Sequence, residues 1–455
     1  MKFKPQIIIG ALIVSLALKA FLHFSHVDAA ISWTAAITLF TAILWVTEAL
    51  PIPATSLIPF FAFPITGVLT HKEAASALGS HVILLLMGAF MLSKAVEVSG
   101  VHRRFAIKML RVTGGNSEKK LVLAFMLTAA ILSMWISNTA TTLMLLPIAL
   151  AILEGTQSKK LATALLLGIA YAASLGGVGT PVGTPPNIIF ISVYSETQSI
   201  EYTFLQWMKT GVPIVIIAIP LMALWLTRNL SALEKIELPE SGAWRAAEKR
   251  VLWVFAVVVM AWMFRPYWTA ALGLQTIGDS TIALAGVIAM FLVPSGNEKK
   301  ETLLTWEKAA DIPWGMLLLF AGGICIAKAF MASGLSEQAG ELLQFLQNVP
   351  LFVLILCLCL FVTFLTEITS NTATATLLMP ILAVSATAID VDPALLMIPA
   401  AISASCAFML PVATAPNAIV YSTDKFSISD MAKEGFVLNI IVAVVITAVA
   451  YTTLS

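Results

Sequence analysis

Long apolar runs separated by short polar segments extend along most of the 455-residue chain. A helix needs about 20 predominantly apolar residues to cross the hydrocarbon core of a bilayer. By that criterion the pattern predicts eleven transmembrane helices, near 6–25, 31–49, 52–69, 80–99, 160–195, 203–227, 250–266, 279–294, 312–333, 393–422 and 434–454. Two of them, 160–195 and 393–422, are longer than one span requires and are interrupted by glycine or proline.

Two further apolar regions, 120–153 and 349–388, do not fit single spans. Each consists of two short arms joined by the same pentapeptide, Ser-Asn-Thr-Ala-Thr, at 137–141 and again at 370–374. An arm such as 121–136 is too short to cross a bilayer comfortably. The pattern therefore predicts two re-entrant hairpins, each of which enters and leaves the membrane on one side.

Composition fixes the broad class as an all-α polytopic membrane protein. The chain is 59% hydrophobic and only 11% charged, whereas soluble domains carry roughly 25% charged residues. The net charge of +1 gives no general attraction to nucleic acid, so no nucleic-acid partner is expected. Four cysteines lie in apolar segments, without the histidine or acidic neighbours of a metal site, and are predicted to be inert core residues.

The distribution of basic residues predicts the orientation of the chain. With the N-terminus in the cytoplasm, most of the 26 Lys and Arg residues fall in inner loops. The C-terminus then lies outside, as expected for a protein of the bacterial inner (plasma) membrane. On this topology the hairpin 120–153 opens inward and the hairpin 349–388 opens outward.

The second half of the sequence repeats the first. "LSKAVEVSG" (92–100) matches "IAKAFMASG" (326–334), the two Ser-Asn-Thr hairpins match next, and "PVGTPPN" (181–187) matches "PVATAPN" (411–417). After the first span each half holds five spans, an odd number, so the halves enter the membrane from opposite sides. An inverted repeat of this kind is typical of secondary transporters, whose site lies at the repeat interface.

Amphipathic stretches follow the first match in both halves, at 101–111 and 335–347, and are predicted to lie along the membrane interface. Solvated linkers are the alternative.

The polar clusters have a physical reason to lie at membrane depth. Non-helical backbone survives there only where it lines a cavity or is buried in protein, and neither 174–187 nor 410–417 can form one continuous helix. Ser, Asn and Thr begin helices, whose N-termini favour anions, while the carbonyls that end the preceding arm are oxygen ligands suited to Na⁺. Two matched tips and two matched breaks predict a midplane binding site. The simpler alternative is that the tips are only helix caps.

The doubled Ser-Asn-Thr motif, with "TEALPIPATSLIP" (47–59) and "GTPPN" (183–187), resembles the divalent anion:sodium symporter family, the INDY-type di- and tricarboxylate transporters. The resemblance covers nearly the whole chain and implies a homodimer with an elevator mechanism. The scaffold would comprise 1–119 and 231–348. The transport domain would comprise 120–230 and 349–455, each segment holding one hairpin and one broken helix.

The resemblance also implies residue roles. The first Na⁺ site would use Ser133, Ser137, Asn138 and Gly183, and the second would use Thr366, Asn371 and Ala413. Substrate carboxylates would contact the two tips, with a threonine of each break close by: Ser137, Asn138, Thr139, Ser370, Asn371, Thr372, Thr184 and Thr414. One departure is Ala415, where family members often have proline.

These features predict Na⁺-coupled symport of C4-dicarboxylates such as succinate, malate and fumarate into the cell. Na⁺ is the expected coupling ion and the bilayer the expected environment. A Na⁺-independent dicarboxylate exchanger, or a citrate or sulfate transporter of the same fold, is the alternative, because neutral hydroxyls and amides would accept any of these anions. The sequence has no nucleophile–base pair of the kind that would suggest an enzyme, and the inverted repeat disfavours a channel.

Glu367 is either a functional carboxylate or a structural hydrogen-bonding residue.

Overall fold

The computed structural model describes residues 4–113, 117–154, 158–230, 244–296, 301–335, 338 and 349–454. Apart from one isolated bridge between Pro294 and Thr302, the regular structure in these residues is helical. The first half contains α1 Pro5–Phe24, α2 Ala29–Thr47, α3 Ile52–Thr55, α4 Ile58–Thr66, α5 His71–Leu78, α6 His81–Ser99, α7 Val101–Thr113, α8 Glu118–Ser133, α9 Asn138–Glu154, α10 Lys159–Gly176, α11 Pro185–Gln198 and α12 Phe204–Leu226.

The second half repeats this order with local differences. It contains α13 Ala246–Met263, α14 Arg265–Leu272, α15 Asp279–Leu292, α16 Trp306–Ala309, α17 Trp314–Ser333, α18 Leu351–Leu365, α19 Asn371–Ala388, α20 Ala394–Ala404, α21 Ala415–Tyr421 and α22 Ile428–Leu454. The predicted interfacial stretch 101–111 is helical within α7. Its counterpart 335–347 lies almost entirely outside the described residues.

Eight of the described helices are long and apolar enough to span a membrane, or nine if the bent pair α13 and α14 is one span. The all-α polytopic architecture is confirmed, whereas the exact number of eleven spans is not. Several predicted spans are shorter or divided. The region 52–69 is split between α3 and α4, and α13 meets α14 at an angle of 76° where Pro266 opens the new helix.

The repeat is visible at matched helix ends. Helix α6 ends at Gly100 and helix α17 at Gly334, with φ of 74° and 78°. These angles lie in the left-handed region, where a Cβ atom is strained and glycine is not. The Ser-Gly pairs that the sequence aligns therefore perform the same helix-ending role in both halves.

The two broken helices lie at the centre of the packing. Helix α10 is almost wholly buried and contacts both arms of the first hairpin, α8 and α9. Helix α20 contacts both arms of the second hairpin, α18 and α19, and also α22. This arrangement carries each chain break to the tip of its own hairpin.

Candidate substrate and cation site

One cavity of about 820 Å³ brings together both hairpin tips and both chain breaks. It is lined by Ser137, Asn138, Thr139, Gly183, Thr184, Ser370, Asn371, Thr372, Ala413 and Thr414, all of which the sequence singled out. The other two candidates, Ser133 and Thr366, are fully buried directly behind the tips. Residues 233 positions apart in the sequence thus face one space.

The first tip gathers oxygen atoms around one hydroxyl. Ser133 Oγ lies 2.5 Å from Asn138 Oδ1 and 2.5 Å from the carbonyl oxygen of Ala173. A serine hydroxyl has a single hydrogen, so it can donate to only one of these acceptors at a time. The other oxygens therefore present unshared lone pairs, the ligand type that a hard cation prefers.

Gly183 approaches the same group of oxygens from the break between α10 and α11. A Cβ atom placed on Gly177 would lie 2.8 Å from Gly183 O and 3.0 Å from Asn138 Oδ1. A Cβ atom on Gly183 would lie 2.3 Å from Gly177 O. The two glycines permit this close backbone approach, which leaves a small cradle of oxygens where side chains would otherwise stand.

The second tip repeats the arrangement. Thr366 Oγ1 lies 2.6 Å from Asn371 Oδ1 and 3.0 Å from the carbonyl oxygen of Ala404. Thr366 and Asn371 correspond to Ser133 and Asn138 at the sequence separation of the Ser-Asn-Thr motifs. Ala413 contributes to the same cavity wall through the second break. The structure therefore contains two matched oxygen clusters, as the repeat predicts.

Each break is tied by an asparagine that the sequence analysis did not single out. Asn187 Nδ2 donates to the carbonyl oxygens of Gly177 (3.0 Å) and Thr180 (2.8 Å). Asn417 Nδ2 donates in the same way to Ala407 and Leu410, both at 3.0 Å. Both asparagines are fully buried. Each was already visible as the last residue of the "PVGTPPN" and "PVATAPN" motifs.

Helix ends contribute to the electrostatic field in the cavity. Helix α9 begins at Asn138 and α19 at Asn371, so two positive N-terminal ends reach the cavity at the tips. Ser137 Oγ accepts a hydrogen bond from the Ala140 N–H at 3.2 Å and acts as a cap for α9. The tips therefore suit an anion that is held without a permanent cation.

Two lysines line the cavity, and both have partners. Lys94 Nζ lies 2.8 Å from Asp311 Oδ2 and 3.6 Å from Glu97 Oε1. Lys4 Nζ donates to the carbonyl oxygen of Thr47 at 3.2 Å. The hydrogen bond from Lys94 holds the pKa of the exposed Asp311 carboxyl below its usual range. Both lysines are therefore already engaged by groups of the protein itself.

Glu367 is the residue for which the sequence left two interpretations open. Its side chain is buried, and it accepts hydrogen bonds from the N–H groups of Phe408 (2.6 Å), Met409 (2.9 Å) and Leu410 (3.0 Å). Asn439 Nδ2 on α22 donates to it at 2.8 Å. Glu367 also contributes to the cavity lining. The signal for its role was a carboxylate within an apolar segment.

Among the described residues there is no group of three or more His, Cys, Asp or Glu side chains that could hold a metal ion. The oxygen clusters at the tips are built from hydroxyl, amide and carbonyl groups instead. Such neutral ligands suit a weakly bound, exchangeable monovalent cation better than a resident transition metal.

Comparison with known proteins gives the same picture. A family model described as "Citrate transporter" matches residues 42–396. The sodium-dependent dicarboxylate transporter SdcS of Staphylococcus saprophyticus is 40% identical, over 98% of this chain and 90% of that protein. The protein of the same name from Staphylococcus aureus strain USA300 is 38% identical over the same shares.

Among solved structures, the YdaH transporter of Alcanivorax borkumensis has a similar fold. The TM-score is 0.59 at 13% sequence identity, and the match covers 90% of this chain and 89% of that one. At this identity the likeness concerns the fold alone. Taken with the full-length relatives and the matched motifs, it leads to one assignment: the chain belongs to the divalent anion:sodium symporter family of di- and tricarboxylate transporters.

Proposed function

We propose that this protein couples Na⁺ to the uptake of a C4-dicarboxylate such as succinate, malate or fumarate. The observation that carries the proposal is the pair of matched oxygen clusters, Ser133 with Asn138 and Thr366 with Asn371, at the tips that line one cavity. Each cluster suits one Na⁺, and the helix N-termini beside them suit the carboxylates. The names of the two SdcS relatives point to the same ion and substrate class.

We assign roles to the residues of the tips and breaks from their positions and from the family resemblance. Ser133, Ser137, Asn138 and Gly183 form the first Na⁺ site, and Thr366, Asn371 and Ala413 form the second. Thr139 and Thr372, with Thr184 and Thr414 from the breaks, contact the substrate together with Ser137, Asn138, Ser370 and Asn371. The hydroxyl of Thr184 lies 3.2 Å from that of Ser405, so the two halves meet at this wall.

Charge balance gives a reason for sodium coupling. Moving one charge against a membrane potential costs about 2.3 kcal/mol per 100 mV, so a dianion costs about 4.6 kcal/mol. Two Na⁺ ions cancel this cost and leave the Na⁺ gradient as the driving force. A third Na⁺ makes uptake electrogenic and sensitive to voltage.

The mechanism that we propose is an elevator. Segments 120–230 and 349–455 move as a transport domain against a scaffold of 1–119 and 231–348. The contacts of α10 with the first hairpin and of α20 with the second support such a unit, because each broken helix packs on its own tip. The scaffold forms a homodimer in the bacterial inner membrane, with the N-terminus in the cytoplasm and the C-terminus outside.

Purified protein in proteoliposomes tests the function. With an inward Na⁺ gradient, labelled succinate is expected to accumulate, and replacing Na⁺ by choline is expected to abolish accumulation. An inside-negative potential is expected to speed uptake if a third Na⁺ moves. Equal uptake in Na⁺ and choline, with acceleration by internal succinate, would instead support the Na⁺-independent exchanger.

A tricarboxylate is the second candidate substrate. The matching family model is described as a citrate transporter, and a cavity of about 820 Å³ has room for an anion larger than succinate. Competition by unlabelled malate, fumarate, citrate and sulfate against labelled succinate separates these possibilities. Strong competition by the C4-dicarboxylates and weak competition by citrate and sulfate is the result that we expect.

A further inference from the structure

Trp207 on α12 holds the backbone of the first break. Its indole Nε1–H donates to the carbonyl oxygen of Val178 at 2.7 Å, and both residues are fully buried. Val178 lies in the short 3₁₀ turn Gly177–Gly179 that follows α10. Carbonyl groups beyond the end of a helix need partners from elsewhere, because the next helical turn is missing. The indole supplies such a partner in the middle of the break.

The turn that Trp207 holds also shapes the first oxygen cluster. Gly177, the neighbour of Val178, approaches this cluster so closely that an added Cβ atom would lie 2.8 Å from Gly183 O and 3.0 Å from Asn138 Oδ1. Both oxygens belong to the proposed first Na⁺ site. Any shift of the turn therefore changes the spacing between these Na⁺ ligands.

At the corresponding place in the second half, the side chain cannot make this contact. In both halves a glycine lets a long helix approach its break. A Cβ atom on Gly211 of α12 would lie 2.5 Å from the carbonyl oxygen that Trp207 binds, and one on Gly435 of α22 would collide with the carbonyl oxygen of Phe408. This match aligns Trp207, four residues before its glycine, with Met431, which has no side-chain donor. Packing a helix against its break therefore does not require the indole.

We propose that Trp207 is a positioning residue for the first cation site, where its indole N–H fixes the Val178 carbonyl and so keeps the oxygen ligands at the spacing that binds Na⁺. The inference rests on the proposed function and deepens it. Without the N–H, the buried carbonyl loses a partner, and the turn, which has glycine on both sides of Val178, moves to find another. Na⁺ then binds only the fraction of molecules that retain the original geometry, so its apparent affinity falls.

The variant Trp207→Phe removes the donor and retains an aromatic ring beside Phe190, whose ring centroid lies 5.5 Å from that of Trp207. In proteoliposomes, the Na⁺ concentration for half-maximal succinate uptake is expected to rise about three- to tenfold, the equivalent of one lost hydrogen bond. At saturating Na⁺ the KM for succinate is expected to return to within about twofold of wild type, because bound Na⁺ restores the geometry. An unchanged Na⁺ dependence, or a loss of succinate affinity that saturating Na⁺ does not restore, would overturn the proposal.

Trp262 provides a matched control in the proposed scaffold. It is also buried, its Nε1–H donates to the carbonyl oxygen of Asp279 at 2.9 Å, and its ring stacks on Phe204 at a centroid distance of 4.9 Å. Trp262→Phe makes the same chemical change outside the first break. Both variants are expected to lower the midpoint of thermal unfolding, but Trp262→Phe should leave the half-maximal Na⁺ concentration within about twofold of wild type. An equal Na⁺ shift in both variants would indicate general destabilisation and contradict the proposal.

An isosteric amino acid decides the question if Trp207→Phe does not accumulate in the membrane. Benzothienylalanine has the shape of tryptophan with sulfur in place of the indole N–H, so its incorporation at position 207 removes the donor alone. The same rise of about three- to tenfold is expected, and a wild-type Na⁺ dependence would overturn the proposal.

A second substitution tests which cation site is affected. Na⁺ titration of the thermal unfolding midpoint in detergent is the readout, because it does not require uptake. Trp207→Phe is expected to add less than about twofold to the half-maximal Na⁺ concentration of Ser133→Ala, since both changes act on one site, and to keep its full effect beside Thr366→Val. The reverse pattern would contradict an action on the first site.

The wild-type protein distinguishes this inference from the function on which it rests. If wild-type uptake does not depend on Na⁺, the proposed function fails. If wild-type uptake depends on Na⁺ and Trp207→Phe shows the same Na⁺ dependence, only the role of Trp207 fails.

Discussion

Two hydroxyl groups set the chemistry of the tips at the scale of single residues. Ser133 and Thr366 occupy matched positions, each fully buried and each bonded to the asparagine that begins the next helix. In the proposed cation sites an alcohol is needed at these positions, because a methyl group cannot coordinate a cation. The resemblance to the symporter family implied both residues, each of which lies four positions, or about one helical turn, before its tip.

Replacing Thr366 by valine removes the hydroxyl and conserves the volume of the side chain. We expect the half-maximal Na⁺ concentration to rise roughly 5- to 150-fold, the equivalent of about 1–3 kcal/mol for one lost polar contact in a buried site. Thr366→Ser retains the hydroxyl and is the matched control, with an expected change of less than threefold. Sodium titration of succinate uptake measures both, and equal behaviour of the two variants would remove Thr366 from the cation site.

At the scale of helices and loops, the sequence predicted what glycine, proline and polar clusters determine locally. It located both hairpins and both breaks, because a segment such as 174–187 cannot remain helical. It did not predict the bend between α13 and α14, since Pro266 also fits the end of a straight span. It also could not identify the carbonyl oxygens of Ala173 and Ala404 as partners, because these contacts depend on how separate helices pack.

The first break depends on backbone contact that only glycine permits. A Cβ atom on Gly183 would lie 2.3 Å from the Gly177 carbonyl oxygen. The variant Gly183→Ala must therefore push apart the two backbone segments that meet at the break. We expect a loss of about 1–3 kcal/mol of stability, seen as a lower midpoint of thermal unfolding in detergent, and uptake reduced at least tenfold. Gly10→Ala is the control, because no atom lies within 4 Å of its new methyl group. Unchanged uptake by Gly183→Ala would mean that the break is not part of the site.

At the scale of the whole molecule, two repeat-related lysines form ion pairs that differ in whether they cross the proposed domain boundary. Lys328 on α17 pairs with Glu196 on α11 at 3.0 Å, and these helices belong to the proposed scaffold and transport domain respectively. The repeat-matched lysine, Lys94, pairs instead with Asp311, and both of these residues belong to the scaffold. If the transport domain slides, the first ion pair must break in every cycle, whereas the second can persist.

Because only the Lys328–Glu196 pair crosses the proposed domain boundary, we expect this pair, and not Lys94–Asp311, to influence access to the cavity. Val412 lines the cavity and is 84% exposed, so Val412→Cys in a Cys357→Ser background reports access through its rate of reaction with a membrane-impermeant maleimide. Lys328→Gln removes a partly exposed ion pair and is expected to destabilise the conformation seen here, in which Val412 is exposed, by about 0.4–1 kcal/mol. Because that conformation is then less populated, labelling is expected to slow about two- to fivefold.

The pair can be separated from its individual charges by a double-mutant cycle. Glu196→Gln should slow labelling as much as Lys328→Gln does, and the double variant should be no slower than either, because the interaction is lost only once. Asp311→Asn breaks an ion pair of similar length within the scaffold and should leave the labelling rate unchanged. Additive effects at Lys328 and Glu196, or an equal effect of Asp311→Asn, would contradict relative movement between α17 and α11, and with it the division of the chain into scaffold and transport domain.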